Sequence, residues 1–527
     1  MNKIIFKISI LVLITFLGCS KNFLEIAPQN VISSDVFLVN DADVFKATVG
    51  LYDRMQTLHS SCWNGMQFIQ SIISDDAQSA GPNANDTPEY EALDKFDWAT
   101  NNSKILGLWT RLYEIVGSSN AIIEKVGANT AATTNMKQMV GEAQVFRAFA
   151  YMELVKMFGG VPLMSKNPLS ASEYNKPRVS DTDIYAFIEA DLTAAIAVIP
   201  VKSVYSLSER YRFSKGTAQF LLGKALLYEK KYAESANVLA QLITSAEYSL
   251  YPVFADEFRK VSEFGTESIY EASFVNTLGS TWGTQNGAFD GRTNEVNIQM
   301  QLEGPRTDNG FFTIPATYAG TSSNNDDGIR GGWGFNLPSK KVSLVLQSDL
   351  VDTRSKSVLS EVDFTARGGS VQVSPIPYMY EGFLRLKYGC RDSETDPSPA
   401  VVPELNYGSN IRAMRYADAL LMAAEAYNKN SNDAAARIEL NKVRARAGLS
   451  PTLLSGTALF DLIVVERQKE LAFEGVRFFD LVRWGTAGAE LSNLGFKVGK
   501  NELFPIPANE IISNTAIGPE DQNPGYK

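Results

Sequence analysis

Few side chains in this 527-residue chain are able to carry chemistry. His59 is the only histidine, so a Ser-His-Asp relay would have to use it, as would a Cys-His pair with Cys62 three positions on. The favoured reading is a packed or solvated histidine near a helix end. Beyond Cys19, the cysteines are Cys62 and Cys390, and with one histidine they do not furnish the four Cys/His ligands of a zinc site. No phosphate-cradling G-x-x-x-x-G-K-[ST] or G-x-G-x-x-G stretch occurs. A pair of carboxylates for glycoside hydrolysis stays open among 59 acidic residues, but no stretch singles one out. Ser323 to Gly328 has some of the oxygen spacing of a calcium loop, yet Gly334 stands where the distal Glu belongs, so an oxygen-rich turn is expected.

The aromatic residues remain. Sugars present apolar C–H faces and rings of hydroxyls, which proteins meet with aromatic platforms flanked by amides and carboxylates. Trp109 and Trp484 lie in apolar helical runs and read as core, while Trp98 fits either role. Trp63 precedes Asn64-Gly65, Trp282 lies between Gly279 and Gly283, and Trp333 is set between glycines, all in turn-forming sequence. Trp282 with Gln285 and Asn286 is the first choice for a sugar platform. Trp63 with Asn64, and Tyr318, come next; Trp333 completes the set. For each ring the competing reading is a plug folded back on the core, and for Trp333 that reading is the stronger one.

A second constellation is ionic. Glu466, Glu470, Glu474, Arg477, Asp480 and Arg483 recur every three or four positions, which on one helix makes a charged row. Phe473, Val476, Phe478, Phe479, Leu481, Val482 and Trp484 make the surroundings apolar, and Gly475 predicts a bend. Such charges persist in an apolar setting when paired, so the row reads as a scaffold of ion pairs and not as a catalytic set. Arg415 and Asp418, placed on a preceding helix beginning near Ile411, would complete it.

The elements that position these residues are mostly helical. Apolar periodicity predicts amphipathic helices over 41–58, 103–126, 136–158, 181–199, 214–229 and 232–246, with Ser180-Asp181 as a cap and Pro200 as a stop. Leu222-Gly223-Lys224-Ala225, followed by Tyr232 and Ser235-Ala236, fits the tetratricopeptide pattern, in which small residues let two antiparallel helices cross tightly. Residues 251–410 are richer in Gly, Asn, Ser, Thr and Pro. There Ser268–Phe274 alternates like a strand, and 279–291 and 317–334 read as long loops, where function concentrates. Residues 411–527 return to helix before a Pro-punctuated tail. The expected fold is a mostly α, tetratricopeptide-like helical-repeat scaffold with a loop-rich irregular segment carrying the binding surface.

Lys3 and Lys7 precede an apolar stretch, Ile8 to Leu17, that is too short to span a bilayer and is followed by Gly18-Cys19. This reads as a signal peptide over 1–18 with Cys19 as the lipidated residue, although Phe16 departs from the usual leucine of that motif. Acyl chains on Cys19 would anchor the protein stably. Its removal takes away two lysines and moves the formal charge from −10 to −12, an acidic balance that argues against nucleic acid.

Several stretches, in order, resemble the SusD/RagB family of surface glycan-capturing lipoproteins from Gram-negative nutrient uptake systems. They are Gly141-Glu142-Ala143-Gln144-Val145-Phe146-Arg147-Ala148, Phe158-Gly159-Gly160-Val161-Pro162-Leu163, Gly332-Trp333-Gly334-Phe335-Asn336-Leu337-Pro338, Asp352-Thr353-Arg354, Arg415-Tyr416-Ala417-Asp418, Glu466 to Gly485, Leu503-Phe504-Pro505-Ile506-Pro507 and Asn523-Pro524-Gly525-Tyr526. The resemblance covers nearly the whole chain after residue 18. It implies an N-terminal helical region over 19–250 and a C-terminal region over 251–527, loop-rich to 410 and helical beyond. It also implies a non-enzymatic, outer-membrane-anchored glycan receptor without cofactor, delivering its ligand to a SusC-like TonB-dependent barrel transporter. Family binding residues vary, so the resemblance assigns none by motif. A receptor for peptides or other nutrients, and a surface glycosidase, are the alternatives.

Overall fold

The structure, a computed structural model, describes residues 37–60, 65–277, 279, 281, 295–315, 329–349, 351–396 and 398–527. In chain order, helices α1 (Asp41–Ser60), α2 (Met66–Ile72) and α3 (Pro88–Asp94) lead into the long pair α4 (Ser103–Gly127) and α5 (Thr134–Phe158). Then come α6 (Asp181–Val198), α7 (Lys215–Tyr228) and α8 (Tyr232–Thr244). The middle of the chain holds only short helices, α9 (Ile298–Glu303), α10 (Lys340–Leu346) and α11 (Glu361–Ala366). The C-terminal part carries α12 (Tyr416–Lys429), α13 (Asp433–Arg446), α14 (Gly456–Leu471), α15 (Arg477–Trp484), α16 (Ala487–Leu491) and α17 (Ala508–Ser513).

The long helices begin where the sequence offers a cap. Asn102 accepts from the backbone N–H of Lys104 and Ile105 at the start of α4, Thr133 from Met136 at α5, and Ser180 from Asp183 at α6. From α4 to α8 each helix packs on the next, α1 covers α4 and α5, and α12 extends the array by docking on α8. The repeat geometry is visible at the α7–α8 crossing. A Cβ on Gly223 would stand 2.6 Å from the Leu239 side chain, and Ser235 Oγ donates to the Gly223 carbonyl at 2.7 Å. One apolar core, from Val44 through Phe146 and Leu222 to Leu420 and Ile506, runs through both parts of the chain.

Among the described residues there are four antiparallel two-stranded ladders, of which the first two tie the irregular middle to the flanking parts of the chain and the other two lie within it. They pair β1 (Ala77–Ser79) with β4 (Asn336–Pro338), β2 (Ser268–Ala272) with β8 (Ile411–Arg415), β3 (Phe312–Thr313) with β6 (Ser370–Val371), and β5 (Val358–Ser360) with β7 (Phe383–Arg385). Residues 411–415 are therefore strand, not the first turn of a helix: Glu271 faces Arg412 and Ala272 faces Ile411 across the ladder. The acidic and basic positions from Glu466 to Arg483 are split between two helices, with Glu474 in the turn between them, because Phe473 and Gly475 take positive φ of 67° and 75° and α14 ends before α15 begins. The ionic reading of those residues holds in detail. Arg415, fully buried, reaches Glu267 at 2.5 Å, Glu470 at 3.1 Å and Glu474 at 2.6 Å, while Arg354 pairs with Asp352 and Glu466. Arg467 joins Asp418 at 2.9 Å to Asp480 at 2.8 Å, and Arg477 crosses to Asp75 at 2.8 Å.

Candidate functional site

Most residues expected to contact a ligand lie outside the described residues: Trp63, Asn64, Trp282, Gln285, Asn286 and Tyr318, together with Cys19, Cys62 and the Ser323–Gly328 turn. The described residues that flank them share one place. Ser60, just before 61–64, donates through Oγ to the Val296 carbonyl at 3.1 Å and accepts from the N–H of Ile298, the first residue of α9, at 3.2 Å. Just after 282–294, the Glu295 carbonyl accepts from Val275 N–H at 2.7 Å, and Asn297 donates through its backbone to Tyr407 and through its side chain to Ser409. Beyond 316–328, Arg330 N–H donates to the Cys390 carbonyl, and Cys390 Sγ in turn donates to Met300 within α9. The described residues beside 61–64, which lie more than two hundred residues from the other two stretches, thus meet those beside 282–294 and 316–328 around one six-residue helix.

Trp333 sits at the same place. Its N–H donates to the Gln301 carbonyl at 2.7 Å, and its half-buried ring packs against the cluster of Val296, Ile298 and Leu405 as well as the main core. Gly332 lies so close to Gly304 that a Cβ there would stand 2.5 Å from the Gly304 Cα. The Gly-Trp-Gly stretch therefore lies close across the end of α9. Around it, Arg330 pairs with Asp392 at 2.5 Å and Arg306 with Asp308 at 2.7 Å, partly solvent-accessible charges able to meet hydroxyl groups. Trp109 and Trp98 are buried in the core, and Trp98 donates through Nε1 to the Leu93 carbonyl. Trp484 is half-buried, its Nε1 donating to Glu425.

His59, the histidine any relay would need, is buried, as are Cys390 and several acids that the sequence does not single out. Burial pushes the His59 imidazole down to about 4, and neither ring nitrogen has a hydrogen-bond partner among the described residues. Burial pushes the Cys390 thiol up to about 12, so it is no thiolate nucleophile. Burial also lifts Asp76, Asp94 and Glu303 to about 7, in Asp76 with help from the adjacent Asp75 charge. Each of these acids is closed off in the interior, where Asp94 accepts from Ser79 N–H, Asp76 from Phe473 N–H, and Glu303 meets Arg385 at 3.1 Å. A groove of about 830 Å³ between α1 and α4 is lined by Arg54, Arg111 and Glu114, not by those acids.

An array of paired helices with a long irregular insertion defines a helical-repeat scaffold, and comparison with known proteins narrows it. A family model described as the SusD family matches residues 272–495, and one described as starch-binding, associating with outer membrane, matches 22–227. A solved laminarin binding SusD-like protein is 30% identical, covers 92% of this chain and 100% of its own, and superposes with a TM-score of 0.80. Surface glycan-binding protein A from Bacteroides fluxus is 26% identical over 92% of this chain and 100% of its own, at a TM-score of 0.76. SusD-like protein P2 of Formosa agariphila is 26% identical, covering 99% of both chains. The chain belongs to the SusD family.

Proposed function

We propose that this protein is a non-catalytic cell-surface receptor that captures an oligosaccharide and passes it to a SusC-like TonB-dependent barrel transporter. The ligand platform would comprise Trp282 with Gln285 and Asn286, Trp63 with Asn64, and Tyr318, with Trp333 at its floor. The observation that carries this reading is the convergence on α9 of the residues flanking all three aromatic-bearing segments. Family membership and a laminarin-binding relative at 30% identity support a glycan as ligand. Asp76, Asp94 and Glu303, acids near neutrality, are buried away from solvent, which favours binding over hydrolysis. Cys19 would hold the protein on the outer membrane through its acyl chains.

Calorimetry against a glycan panel that includes laminarin tests the proposal. Trp282→Ala and Trp63→Ala should each weaken binding about tenfold or more, as loss of a stacking aromatic anchor does. Unchanged glycan affinity in both variants alongside binding of a peptide would transfer the reading to a peptide receptor, and release of shortened sugars would transfer it to an enzyme. In cells, Cys19→Ala should move the protein from the membrane pellet to the soluble fraction; an unaltered pellet fraction would remove the anchor.

A further inference from the structure

Two small polar cavities lie beneath the residues that flank 61–64 and 282–294, and both are bordered by Gln67 of α2. The smaller, about 10 Å³, is walled by Asn297, Arg385 and Tyr388. All three side chains are more than nine-tenths buried, and Asn297 Oδ1, Arg385 Nη1 and Tyr388 OH each lack a protein hydrogen-bond partner. The larger, about 40 Å³, is walled by His59, Glu153, Lys224 and Glu474 among others. His59 is 3% exposed with both nitrogens unpartnered, and the Lys224 ammonium is 4.0 Å from Asp418, beyond hydrogen-bond reach.

A buried polar atom left unbonded costs about 1–3 kcal/mol, so this many at two adjoining cavities calls for an occupant. The walls decide its chemistry. Carboxylates of Glu153 and Glu474 disfavour an anion, and the cations Lys156, Lys224 and Arg412 disfavour a metal ion in the larger cavity. A neutral imidazole offers one donor and one acceptor, and the smaller cavity likewise mixes a carbonyl oxygen with N–H and O–H groups. A small neutral molecule that both donates and accepts satisfies every wall. A water needs about 10–15 Å³ and two to four polar partners.

We propose that these cavities are ordered-water sites: one water bonded to Asn297, Arg385 and Tyr388, and a chain of about three reaching His59. The smaller site joins α2 to α9 and the larger joins α2 to α1, α5, α7 and β8, and both stand whether or not the ligand above is a glycan. A high-resolution crystal structure should show water density in both cavities within hydrogen-bond distance of the named atoms. Water relaxation dispersion in solution should count long-lived waters in the wild type and fewer in His59→Leu. Tyr388→Phe, which removes only one hydroxyl, should fold and keep the smaller-site water with weaker order. Collapsed cavities in which the named groups bond directly to one another, density that refines as an ion, or an unchanged count in His59→Leu would each overturn the assignment.

Discussion

Arg415 shows why the ionic residues of the C-terminal part belong to the scaffold. Its guanidinium holds three carboxylates from two elements, Glu267 next to β2 and Glu470 and Glu474 around the end of α14. Burial alone would raise the Glu470 carboxyl, but Arg446, Arg415 and Arg354 outweigh it and hold it at about 2. Removing one partner from such a buried set leaves charges without solvent or counter-ion, at a cost of about 3–5 kcal/mol. Arg415→Met should therefore lower stability by roughly that amount, measured by urea unfolding with an unchanged slope. Arg54 and Glu114 make a pair of similar length, 3.1 Å, with side chains 40% and 50% exposed. Arg54→Met should cost less than about 1 kcal/mol, because water already screens that pair. Equal losses in the two variants would mean that burial does not govern these ion pairs.

At the level of elements, what could be read from sequence was whatever depends on neighbours along the chain. Six of the eight helices from Asp41 to Thr244 were expected from periodicity, caps and stops, and they lie within two residues of their expected ends, whereas the seven-residue α2 and α3 were not expected. The Gly223 crossing was legible for the same reason. Its tightness yields a prediction: Gly223→Val forces a side chain into Leu239 and should destabilise by about 1–3 kcal/mol, read from the thermal midpoint, whereas Gly127→Ala, with open space at its Cβ, should not. A Gly223→Val variant as stable as the parent would show that the helices can part without loss. Strand β8 was not legible, since Ile411–Arg415 precedes a helix without a break and its partner β2 lies some 140 residues away. The site divided likewise: turn-forming sequence marked the segments bearing Trp63, Trp282 and Tyr318, and the glycines marked Trp333. That the described residues beside those segments meet on α9 was hidden, because six residues in a stretch without periodicity leave too little pattern, and the contacts that gather the flanking residues are long-range.

The whole molecule combines two populations of buried acids that respond to pH in opposite senses. Burial raises Asp76, Asp94, Glu263 and Glu303 to about 7, against roughly 4 in an unfolded chain. Between pH 7 and 4 the folded state holds those protons and the unfolded state does not, so this stability is gained as pH falls through that window. His59, held at about 4 against roughly 6.5 unfolded, works the other way, since the unfolded chain takes up its proton first. Four groups oppose one, and the net effect favours acid down to about pH 5. Further down the sign reverses. Glu470 and Asp480, both held at about 2 by arginines that outweigh their burial, stay ionised in the fold after they protonate in the unfolded chain. Their stability is lost as pH falls from roughly 4 toward 2. The thermal midpoint should accordingly be higher near pH 5 than at pH 8 and drop steeply below pH 4. Glu303→Gln, which stays neutral throughout, should flatten the decline between pH 5 and 8. A midpoint that rises steadily from pH 5 to 8 would show that the buried acids remain ionised in the fold, with charge partners strong enough to overcome their burial.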